Sequence, residues 1–365
     1  MNSAILRTLA VAIVLSAALT APSWAADVSF AGKTVRVIVN FAAGGPSDIF
    51  ARHYQKHLSQ YLPGHPNVIV ENRPGAAGML AANYLYNLAQ KDGLTVGSLT
   101  AIAVHPILGK PNVKFDITKF KWLGAVPQTQ VLMVSTRIGI RTPADLLTPT
   151  EPLIYGTTGV NAAYVNTRLF LELIGARFKA VSGYRGQVRA IQALRRGEVN
   201  VTDLGISAYL PNRETYRKEG AMFALLQRGV MDEQGKFHRL PALANLPTME
   251  EVIALVNPKA LHAAKFEAIK AVLGTYHIQF GFMLPPGTPQ ALVDAYRAGY
   301  AKMFHDPAIR QETKARFKVD HDFVDGDSAQ RYVENLFANF AANKEVQQVI
   351  RAVARVKGPP KVKKK

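Results

Sequence analysis

Two glycine-rich turns near the start of the chain carry the residues best suited to binding a small ligand. They read FAAGGPSD, from Phe41 to Asp48, and ENRPGAAG, from Glu71 to Gly78. Each turn follows a short apolar run and precedes a pattern typical of a helix. A helix that begins in this way presents free backbone N–H groups and the positive end of its dipole at one point. The two turns therefore favour the capture of an anion such as a carboxylate.

The same residues also allow a purely structural interpretation. Ser47 and Asp48 are of the types preferred at helix starts, and Gly75 after Pro74 fits the third position of a type II turn. The repetition of such turns favours ligand binding over a purely structural role. Two further glycine-rich turns follow apolar runs later in the chain, at 156–159 and 182–186. Loops at the carboxyl ends of parallel strands converge in an open α/β sheet, so the four turns are predicted to face one cleft.

The fourth turn adds Tyr184 and Arg185 as candidate ligand-binding residues. Arg185 is the one guanidinium within the four turns apart from Arg73, and it either pairs with a second ligand carboxylate or lies flat on the surface. Charge-assisted hydrogen bonds contribute about 1.5–3 kcal/mol each. Four or five of them would exceed the ~8 kcal/mol of a micromolar complex, before ordering costs. Backbone groups could thus hold a carboxylate without a salt bridge.

Motifs of enzymatic catalysis are missing from the sequence. It contains no G-x-S-x-G, Walker A or G-x-G-x-x-G motif, and it has no cysteine to form disulfides, thiolate nucleophiles or metal ligands. His53 and His57 lie four residues apart, but the zinc-peptidase glutamate is not between them and no third ligand is evident. Asp48 and Asp203 could form a carboxylate pair, yet nothing in the sequence would tune them for acid–base work. We therefore expect no catalytic residue, no metal and no cofactor.

The first 25 residues have the features of a secretory signal peptide. Arg7 supplies the basic region, an apolar stretch runs from Leu9 to Leu19, and small residues precede a cleavage site between Ala25 and Ala26. The apolar stretch is too short to span a bilayer, which needs about 20 residues. We expect cleavage and a mature protein in the periplasm.

The net charge is +18, but its distribution argues against nucleic-acid binding. Seven basic residues lie in the last fifteen, and the chain ends in GPPKVKKK. Residues 351–365 are predicted to form a solvated, disordered tail, which could also hold the protein near anionic lipids. The remaining positive charge would favour the approach of acidic ligands.

Short β-rich runs alternate with helical patterns from Val35 to about Gly205, which predicts an α/β fold with mostly parallel sheets flanked by helices. A mature chain of about 340 residues exceeds what one core usually supports, so two lobes are expected. The closely spaced runs 122–126 and 131–135 mark where the chain leaves the first lobe. Thr248 followed by Glu251 is typical of a capping box. The last helices are predicted to pack back on the first lobe.

These motifs together resemble the periplasmic solute-binding proteins of tripartite tricarboxylate transporters, also called the Bug family. The matching segments are VNFAAGGPSD, VIVENRPGAAG, the turn from Tyr155 to Gly159, LPPGTP before the last helices, and HRLPALANLPTMEE from His238 to Glu251. The resemblance covers essentially the whole mature chain. It implies two lobes of the type II periplasmic-binding fold with a ligand cleft between them. Lobe 1 would comprise residues 26–127 and 278–350, and lobe 2 residues 128–277.

The resemblance also implies which residues contact the ligand. In the family the first two turns hold one ligand carboxylate, largely through backbone groups and water, which here implicates Ala43, Gly44, Gly45, Ser47, Asp48, Gly75 and Ala76. Contacts from the second lobe would fall on Thr157, Thr158, Asn161 and Asp203. The protein would be a monomer that delivers its ligand to the membrane permease subunits of the transporter.

The second lobe departs from the family pattern. Where the family often has a V-P-Y-K-G turn, this sequence has Val181 to Gly186, which is one residue longer and has Arg185 in place of lysine. Because that lobe usually sets ligand choice, the sequence leaves open a C4–C6 dicarboxylate, a tricarboxylate or an aromatic acid. Two other functions also stay open: a sensor subunit that presents the ligand to a membrane kinase, and an exported α/β enzyme acting on small acids.

Overall fold

A computed structural model describes residues 28–184, 186–232 and 235–354, in which the strands form two main sheets and a short hairpin. In chain order the strands are β1 (Thr34–Val39), β2 (Asn67–Asn72), β3 (Thr95–Thr100), β4 (Lys121–Val126), β5 (Gln130–Ser135), β6 (Leu153–Thr157), β7 (Phe178–Ser182), β8 (Val201–Gly205), β9 (Met222–Gln227), β10 (Val230–Met231), β11 (Phe237–His238), β12 (Phe280–Leu284) and β13 (Val324–Asp325).

Helices connect most of these strands and flank the sheets. In chain order they are α1 (Pro46–Tyr61), α2 (Met79–Asn87), α3 (Val104–Ile107), α4 (Ala162–Leu173), α5 (Gln187–Arg196), α6 (Ile206–Glu219), α7 (Met249–Val256), α8 (Ala264–Gly274), α9 (Gln290–His305), α10 (Pro307–Phe317), α11 (Gly326–Ala342) and α12 (Lys344–Ala354). None of the helices in this described part of the chain is long and apolar enough to cross a membrane.

Local signals in the sequence predicted most of these elements. The apolar pattern of the sequence predicts a helix from about Ser47 to Leu58 and a strand from Phe280 to Leu284. The strand has those bounds, and the helix begins one residue earlier, at Pro46. The predicted capping box of α7 is present. Glu251 N donates to Thr248 Oγ1 at 3.1 Å, and Thr248 N donates to the Glu251 carboxylate at 2.6 Å.

The first sheet has the strand order β13-β4-β12-β3-β1-β2. β1 runs parallel to both β2 and β3, with Val37 opposite Val70 and Val96. β12 is antiparallel to both of its neighbours, β3 and β4. The carboxyl ends of β1, β2 and β3 therefore lie at one edge of the sheet, where the first two glycine-rich turns begin.

The second sheet has the strand order β7-β6-β8-β5-β9. β6 runs parallel to β7 and β8, whereas β5 is antiparallel to β8 and β9. In the second sheet the parallel strands β7, β6 and β8 are followed by the antiparallel β5. The first sheet has the same plan, with the parallel strands β2, β1 and β3 followed by the antiparallel β12. The third and fourth turns follow β6 and β7, so they lie at the corresponding edge of this sheet.

The chain passes between the sheets twice. β4 ends at Val126 in the first sheet and β5 begins at Gln130 in the second, and the chain returns after α8, with β12 beginning at Phe280. The lobe boundaries proposed from the sequence, at 127/128 and 277/278, fall within these two connections. We retain those boundaries as a proposal.

Aromatic side chains fill the space between the first sheet and the helices beside it. Phe50 of α1 stacks on Phe280 of β12 with ring centroids 3.9 Å apart, and Phe282 stacks on Tyr300 of α9 at 4.5 Å. Trp122 of β4 is fully buried, and its indole N–H donates to Ile117 O at 3.1 Å. Burial of these rings contributes hydrophobic free energy that holds α1 and α9 against the sheet.

The last helix continues past the point where the sequence predicted a disordered tail. Residues 351–354 belong to α12, in which Val346, Ile350 and Val353 are buried on one face. Their spacing of four and three residues continues a helical pattern into the segment where basic residues accumulate. The prediction of disorder is therefore wrong for residues 351–354. Residues 355–365 and the predicted signal peptide at 1–25 lie outside the described residues.

Candidate functional site

A cavity of about 460 Å³ lies between the two sheets, where the glycine-rich turns were predicted to converge. The first-sheet side of its lining comes from residues that follow β1, β2 and β3: Phe41, Ala77, Ala101, Val104 and His105. The second-sheet side includes Gln130, Tyr155, Gly156, Thr157, Thr158, Asn161, Gln187 and Asp203. The connection that returns to the first sheet adds Thr275, Tyr276 and Gln279.

Four of the predicted site residues lie in this lining: Thr157, Thr158, Asn161 and Asp203. Tyr184 lies just behind it, because a Cβ on the lining residue Gly156 would be 3.3 Å from the Tyr184 ring. Arg185 lies outside the described residues. Apart from Arg185, the structure therefore brings the predicted residues of the second sheet together.

The first two turns reach the cavity through Phe41 and Ala77. The predicted residues adjacent to these two are Ala43, Gly44, Gly45, Ser47, Asp48, Gly75 and Ala76. Ser47 and Asp48 are buried, whereas Ala43, Gly44 and Ala76 are exposed. These residues consequently lie at the edge of the cavity rather than in its lining.

Asp48 holds the first turn in shape. Gly44 N donates to its carboxylate at 2.9 Å, Asn72 Nδ2 donates at 2.8 Å, and Arg52 Nε donates to both oxygens at 2.9 and 3.0 Å. Burial alone would raise the pKa of Asp48, but the hydrogen bonds from Arg52, Gly44 and Asn72 lower it, so the group stays ionised. The helix start itself is capped by Gly45, so Asp48 connects the first turn to the end of β2.

The second turn contains four successive residues with positive φ: Gly75, Ala76, Ala77 and Gly78, at 139°, 48°, 54° and 93°. For alanine this left-handed conformation costs roughly 1–2 kcal/mol per residue. Such strain persists where the surroundings impose it, and it is common at ligand sites. Ala101, in the cavity lining after β3, also has a positive φ of 59°.

Two polar side chains position the strained second turn. Asn40, at the end of β1, donates to Thr100 O at 2.8 Å and accepts from Thr100 N at 2.9 Å, and Gly78 packs directly against its amide. His105 Nε2 donates to Ala77 O at 3.0 Å, because a carbonyl oxygen can only accept. His105 is only 7% exposed, and burial lowers the pKa of its ring.

The N-terminus of α4 opens onto the cavity from the second sheet. Asn161 caps this helix, with its Oδ1 accepting from Tyr164 N at 3.0 Å and its Nδ2 donating to Thr158 Oγ1 at 2.7 Å. The next two residues, Ala162 and Ala163, are also part of the lining. The N–H groups of the first helical turn and the positive end of the helix dipole therefore lie at the cavity.

A buried ion pair supports the second-sheet wall. The Arg228 guanidinium, Tyr155 OH and Thr167 Oγ1 all donate to the Asp203 carboxylate. Asp203 is 4% exposed and Arg228 is 1% exposed. Burial alone would lower the pKa of Arg228, but the charge of Asp203 raises it, so the guanidinium stays charged. Because its charge is compensated, Asp203 presents little net repulsion to an anion in the cavity.

Charged groups available to a ligand are scarce at this site. Among the described residues, the cavity lining contains no lysine or arginine. Residues 28–184, 186–232 and 235–354 also contain no group of three or more His, Cys, Asp or Glu side chains placed to hold a metal ion. An anion bound in the cavity would interact with backbone N–H groups, helix N-termini and neutral polar side chains.

The polar residues at or behind the lining that the sequence did not indicate include His105, Gln130 and Arg228. His105 precedes Pro106 in a helix of four residues, too short for a recognisable pattern. Gln130 is the first residue of β5, and Arg228 follows β9. The contacts of Arg228 are with Ala163, Thr167 and Asp203, far from it in sequence. No local motif could have indicated these long-range contacts.

Comparisons with known proteins identify the class to which this fold and cavity belong. Residues 50–352 match the family described as the tripartite tricarboxylate transporter family receptor, TctC. A UPF0065 protein of Cupriavidus necator is 26% identical over 340 residues, which is 89% of each chain. A UPF0065 protein of Bordetella pertussis is 26% identical over 292 residues, 77% of this chain and 79% of the relative.

Solved structures have the same fold. A TctC solute-binding protein from Polaromonas aligns with a TM-score of 0.64 and 17% identity over 89% of this chain and 100% of the other. A Rhodopseudomonas palustris protein with adipate aligns with a TM-score of 0.61 and 21% identity, covering 87% and 97%. MatC from the same organism with bound malate has a TM-score of 0.57 and 18% identity, covering 87% and 98%.

The two sheets with a cavity between them are the type II periplasmic-binding fold, and they define a solute-binding protein. The chain belongs to the tripartite tricarboxylate transporter receptor family. The resemblance seen in the sequence motifs is thus confirmed, as is the prediction of a binding protein rather than an enzyme.

Proposed function

We propose that this protein captures a small carboxylate in the cavity between its two sheets, in the periplasm, and delivers it as a monomer to the membrane permease subunits of a tripartite tricarboxylate transporter. The N-terminus of α4 is the observation that carries the proposal, because it brings unpaired N–H groups and a positive dipole to a cavity whose carboxylate, Asp203, is already neutralised. Structural neighbours with bound malate and adipate support a carboxylate as the ligand class.

The ligand carboxylate would lie between the first two turns and the N-terminus of α4. Backbone groups of Ala43, Gly44, Gly45, Gly75 and Ala76 would contribute from the first sheet, directly or through water, with Ser47 and Asp48 holding the first turn. The hydroxyls of Thr157 and Thr158 and the amide of Asn161 would contribute from the second sheet. Tyr184 and Arg185 would contact the distal part of the ligand, and Asp203 would act through its neighbours.

A ligand that contacts both sheets would also stabilise their closed arrangement. The two connections between the sheets, 127–129 and 275–279, are short segments that could change their backbone angles as a hinge. Because the ligand gains contacts with the second sheet only when the sheets approach, binding would shift the population toward the closed form. The closed form is the state we expect the permease to recognise.

A thermal-shift screen tests the proposal. The mature protein is unfolded and refolded to remove any carried-over ligand, and then mixed with mono-, di- and tricarboxylates and aromatic acids. A compound that binds only the native state must stabilise it, so we expect one class to raise the melting temperature by several degrees. No shift with any carboxylate would contradict the proposal.

A pair of helix-cap variants separates loss of binding from loss of stability. Asn161→Ala removes the cap of α4 at the cavity, whereas Asp325→Ala removes the cap of α11, where Asp325 accepts from Ser328 N at 2.9 Å. Either change should destabilise the protein by about 1 kcal/mol. Only Asn161→Ala should weaken carboxylate binding, and equal weakening in both variants would count against a site at α4.

A further inference from the structure

A long run of residues at one edge of the second sheet carries basic side chains and no acidic ones. Residues 173–197 contain six Lys or Arg and no Asp or Glu. They include β7, the fourth turn and α5, and β7 is the outermost strand of its sheet, next to β6. Arg177, Lys179 and Arg189 of this run are exposed. We call these three side chains the basic band.

The packing of α5 places Lys179 and Arg189 on the same side of the second sheet. Val181, two residues after Lys179, packs against the apolar cluster that includes Ile191 and Leu194 of α5. Side chains two residues apart on a strand lie on the same face, so Lys179 also lies on the α5 side. The basic band therefore extends over one surface, from the start of β7 to the first turn of α5.

Acidic side chains around the run do not neutralise the basic band, because they are paired with other bases. The pairs are Glu172 with Arg168 and Lys265, Glu198 with Arg196, and Glu219 with Arg195. Of the residues that the structure describes, none forms an ion pair with Arg177, Lys179 or Arg189. These three also lie outside the cavity lining, so a ligand in the cavity does not use their charge.

The surface around the basic band lacks the apolar centre that is typical of protein–protein interfaces. Val188, which is 64% exposed, is the one large apolar side chain of residues 173–184 and 186–197 that is strongly exposed. A lysine on an edge strand, such as Lys179, also opposes pairing with a strand of another chain. Positive charge without an apolar centre fits a partner whose negative charge is spread over a surface.

We propose that the basic band binds the anionic headgroup surface of a phospholipid membrane. Arg189 lies two residues after Gln187, which lines the cavity. Contact through the band therefore brings one rim of the cavity to the membrane. This membrane contact goes beyond the proposed capture of a carboxylate and does not depend on it.

Co-sedimentation of the mature protein with vesicles tests the proposal. One set of vesicles contains phosphatidylcholine and phosphatidylglycerol in equal parts, and the other contains phosphatidylcholine alone. We expect binding to the anionic vesicles at about 0.01 M salt and little binding at about 1 M salt, because the screening length falls from about 30 Å to about 3 Å. Equal binding to both kinds of vesicle, or binding to neither, would overturn the proposal.

A variant without the band charges tests which residues bind the vesicles. It combines Arg177→Gln, Lys179→Gln and Arg189→Gln. A base near an anionic lipid surface contributes about 1 kcal/mol, or about fivefold in the partition coefficient. We therefore expect the three substitutions to lower the partition coefficient about hundredfold. Full vesicle binding by this variant would overturn the proposal.

A matched control removes the same number of charges from the other part of the molecule. Lys33→Gln, Lys91→Gln and Lys302→Gln change exposed residues near the first sheet. At about 0.1 M salt, charges more than about 10 Å from the membrane contribute little, so the partition coefficient should fall less than about threefold. An equal fall in the two triple variants would show that only net charge matters, which would overturn the assignment to the band.

The basic C-terminal residues must be separated from the band. Residues 355–365 contain six further Lys or Arg and no acidic residue. Both the unsubstituted band and the band variant are therefore also measured in a chain in which these six are replaced by glutamine. We expect this chain to prefer anionic vesicles still, and to lose that preference with the band substitutions. Loss of all vesicle binding when only the six are replaced would overturn the proposal.

The melting temperature and its rise with a bound carboxylate serve as the check that the variants fold. Neither should change in the band variant, because its residues are exposed and lie outside the cavity lining. Failure of carboxylate binding in the unsubstituted protein would contradict the proposed function alone, since vesicle binding is measured without a carboxylate.

Discussion

At the scale of single residues, the buried pair of Asp203 and Arg228 makes the second-sheet wall polar without making it charged. Removing one partner leaves an uncompensated ion in the protein interior, which is costlier than removing both. The wall therefore depends on both residues being present. Because the two charges compensate each other, neither is a free counter-ion for a ligand. A ligand would therefore be bound by backbone groups and neutral side chains.

We predict that Arg228→Met lowers the free energy of unfolding by about 3–5 kcal/mol, because Asp203 stays buried without its cation. The double variant Asp203→Asn with Arg228→Met should recover part of this loss. Arg217→Met, which breaks an exposed ion pair with Glu214, should cost less than about 1 kcal/mol. Urea unfolding of the four proteins measures these values. Equal stability of the single and double variants would show that the pair is not coupled.

The sequence predicted only part of this residue-level arrangement. Asp203 was identified as a ligand contact through the family resemblance, but its ion pair was not, because Arg228 comes from a different strand end. Asp48 was identified as a helix-start residue and lies in the first turn of α1, but its contact with Asn72 of β2 was not predicted. Such roles depend on which strands are neighbours, and a local motif does not contain that information.

At the scale of elements, the second turn is shaped by close packing as well as by its glycines. Gly78 has a φ of 93°, and a Cβ at this position would lie 2.3 Å from Asn40 Nδ2. Asn40 connects the end of β1 to the end of β3 through Thr100. A side chain on Gly78 would therefore disturb both the second turn and the edge of the sheet that positions it.

We predict that Gly78→Ala costs about 2–4 kcal/mol of stability, through backbone strain and loss of the Asn40 hydrogen bonds. Gly220→Ala is the matched control. Gly220 also has a positive φ, of 62°, but nothing lies within 4 Å of the added Cβ, so only the strain of about 1–2 kcal/mol remains. Denaturant unfolding compares the two. Equal losses would show that contact with Asn40 does not constrain the turn.

The packing of α1 against α10 and the segment after it should make stability depend on pH. His53 Nε2 lies 2.8 Å from Thr313 Oγ1, and Tyr54 OH lies 2.7 Å from His321 Nδ1, each within hydrogen-bond distance. Burial lowers the pKa of each histidine to about 4, although Glu312 opposes this at His53. In the unfolded chain a histidine has a pKa near 6.5.

Between pH 6.5 and pH 4 the unfolded chain therefore binds protons that the folded protein does not. We predict that the free energy of unfolding is constant above about pH 7 and falls as the pH drops from 6.5, by a few kcal/mol in total. His321→Gln should reduce the slope, and His262→Gln, at an exposed site, should not. Stability that stays constant from pH 7 to pH 5 would disprove this.

Element boundaries were predictable where the pattern is local and strong. The sequence also predicts a helix from Gln187 to Arg196, after the fourth turn. This helix and the strand at Phe280–Leu284 have the predicted bounds, because apolar periodicity and flanking turn residues mark both ends. The end of α12 was not predicted, because the basic residues of this segment were interpreted as a disordered tail. The apolar face formed by Val346, Ile350 and Val353 continues into that segment.

At the scale of the whole molecule, the two sheets share one strand plan, with three parallel strands beside an antiparallel one. Strand alternation in the sequence predicted an α/β fold, but the strand order depends on pairings between distant segments. The chain length predicted two lobes, and the family resemblance added the type II binding fold with a ligand cleft between them. The repetition matters for function, since it sets the turns of one sheet opposite those of the other across a single cavity.

The central claim is that turns from both sheets bind the same carboxylate. Hydrogen–deuterium exchange of the refolded mature protein, with and without the tightest-binding acid from the screen, tests it most directly. We predict that ligand slows exchange together at backbone amides 43–48, 75–79 and 157–164, and that the helix pair α11 and α12 is unaffected. Protection confined to the turns of one sheet, or found only outside these segments, would contradict the account.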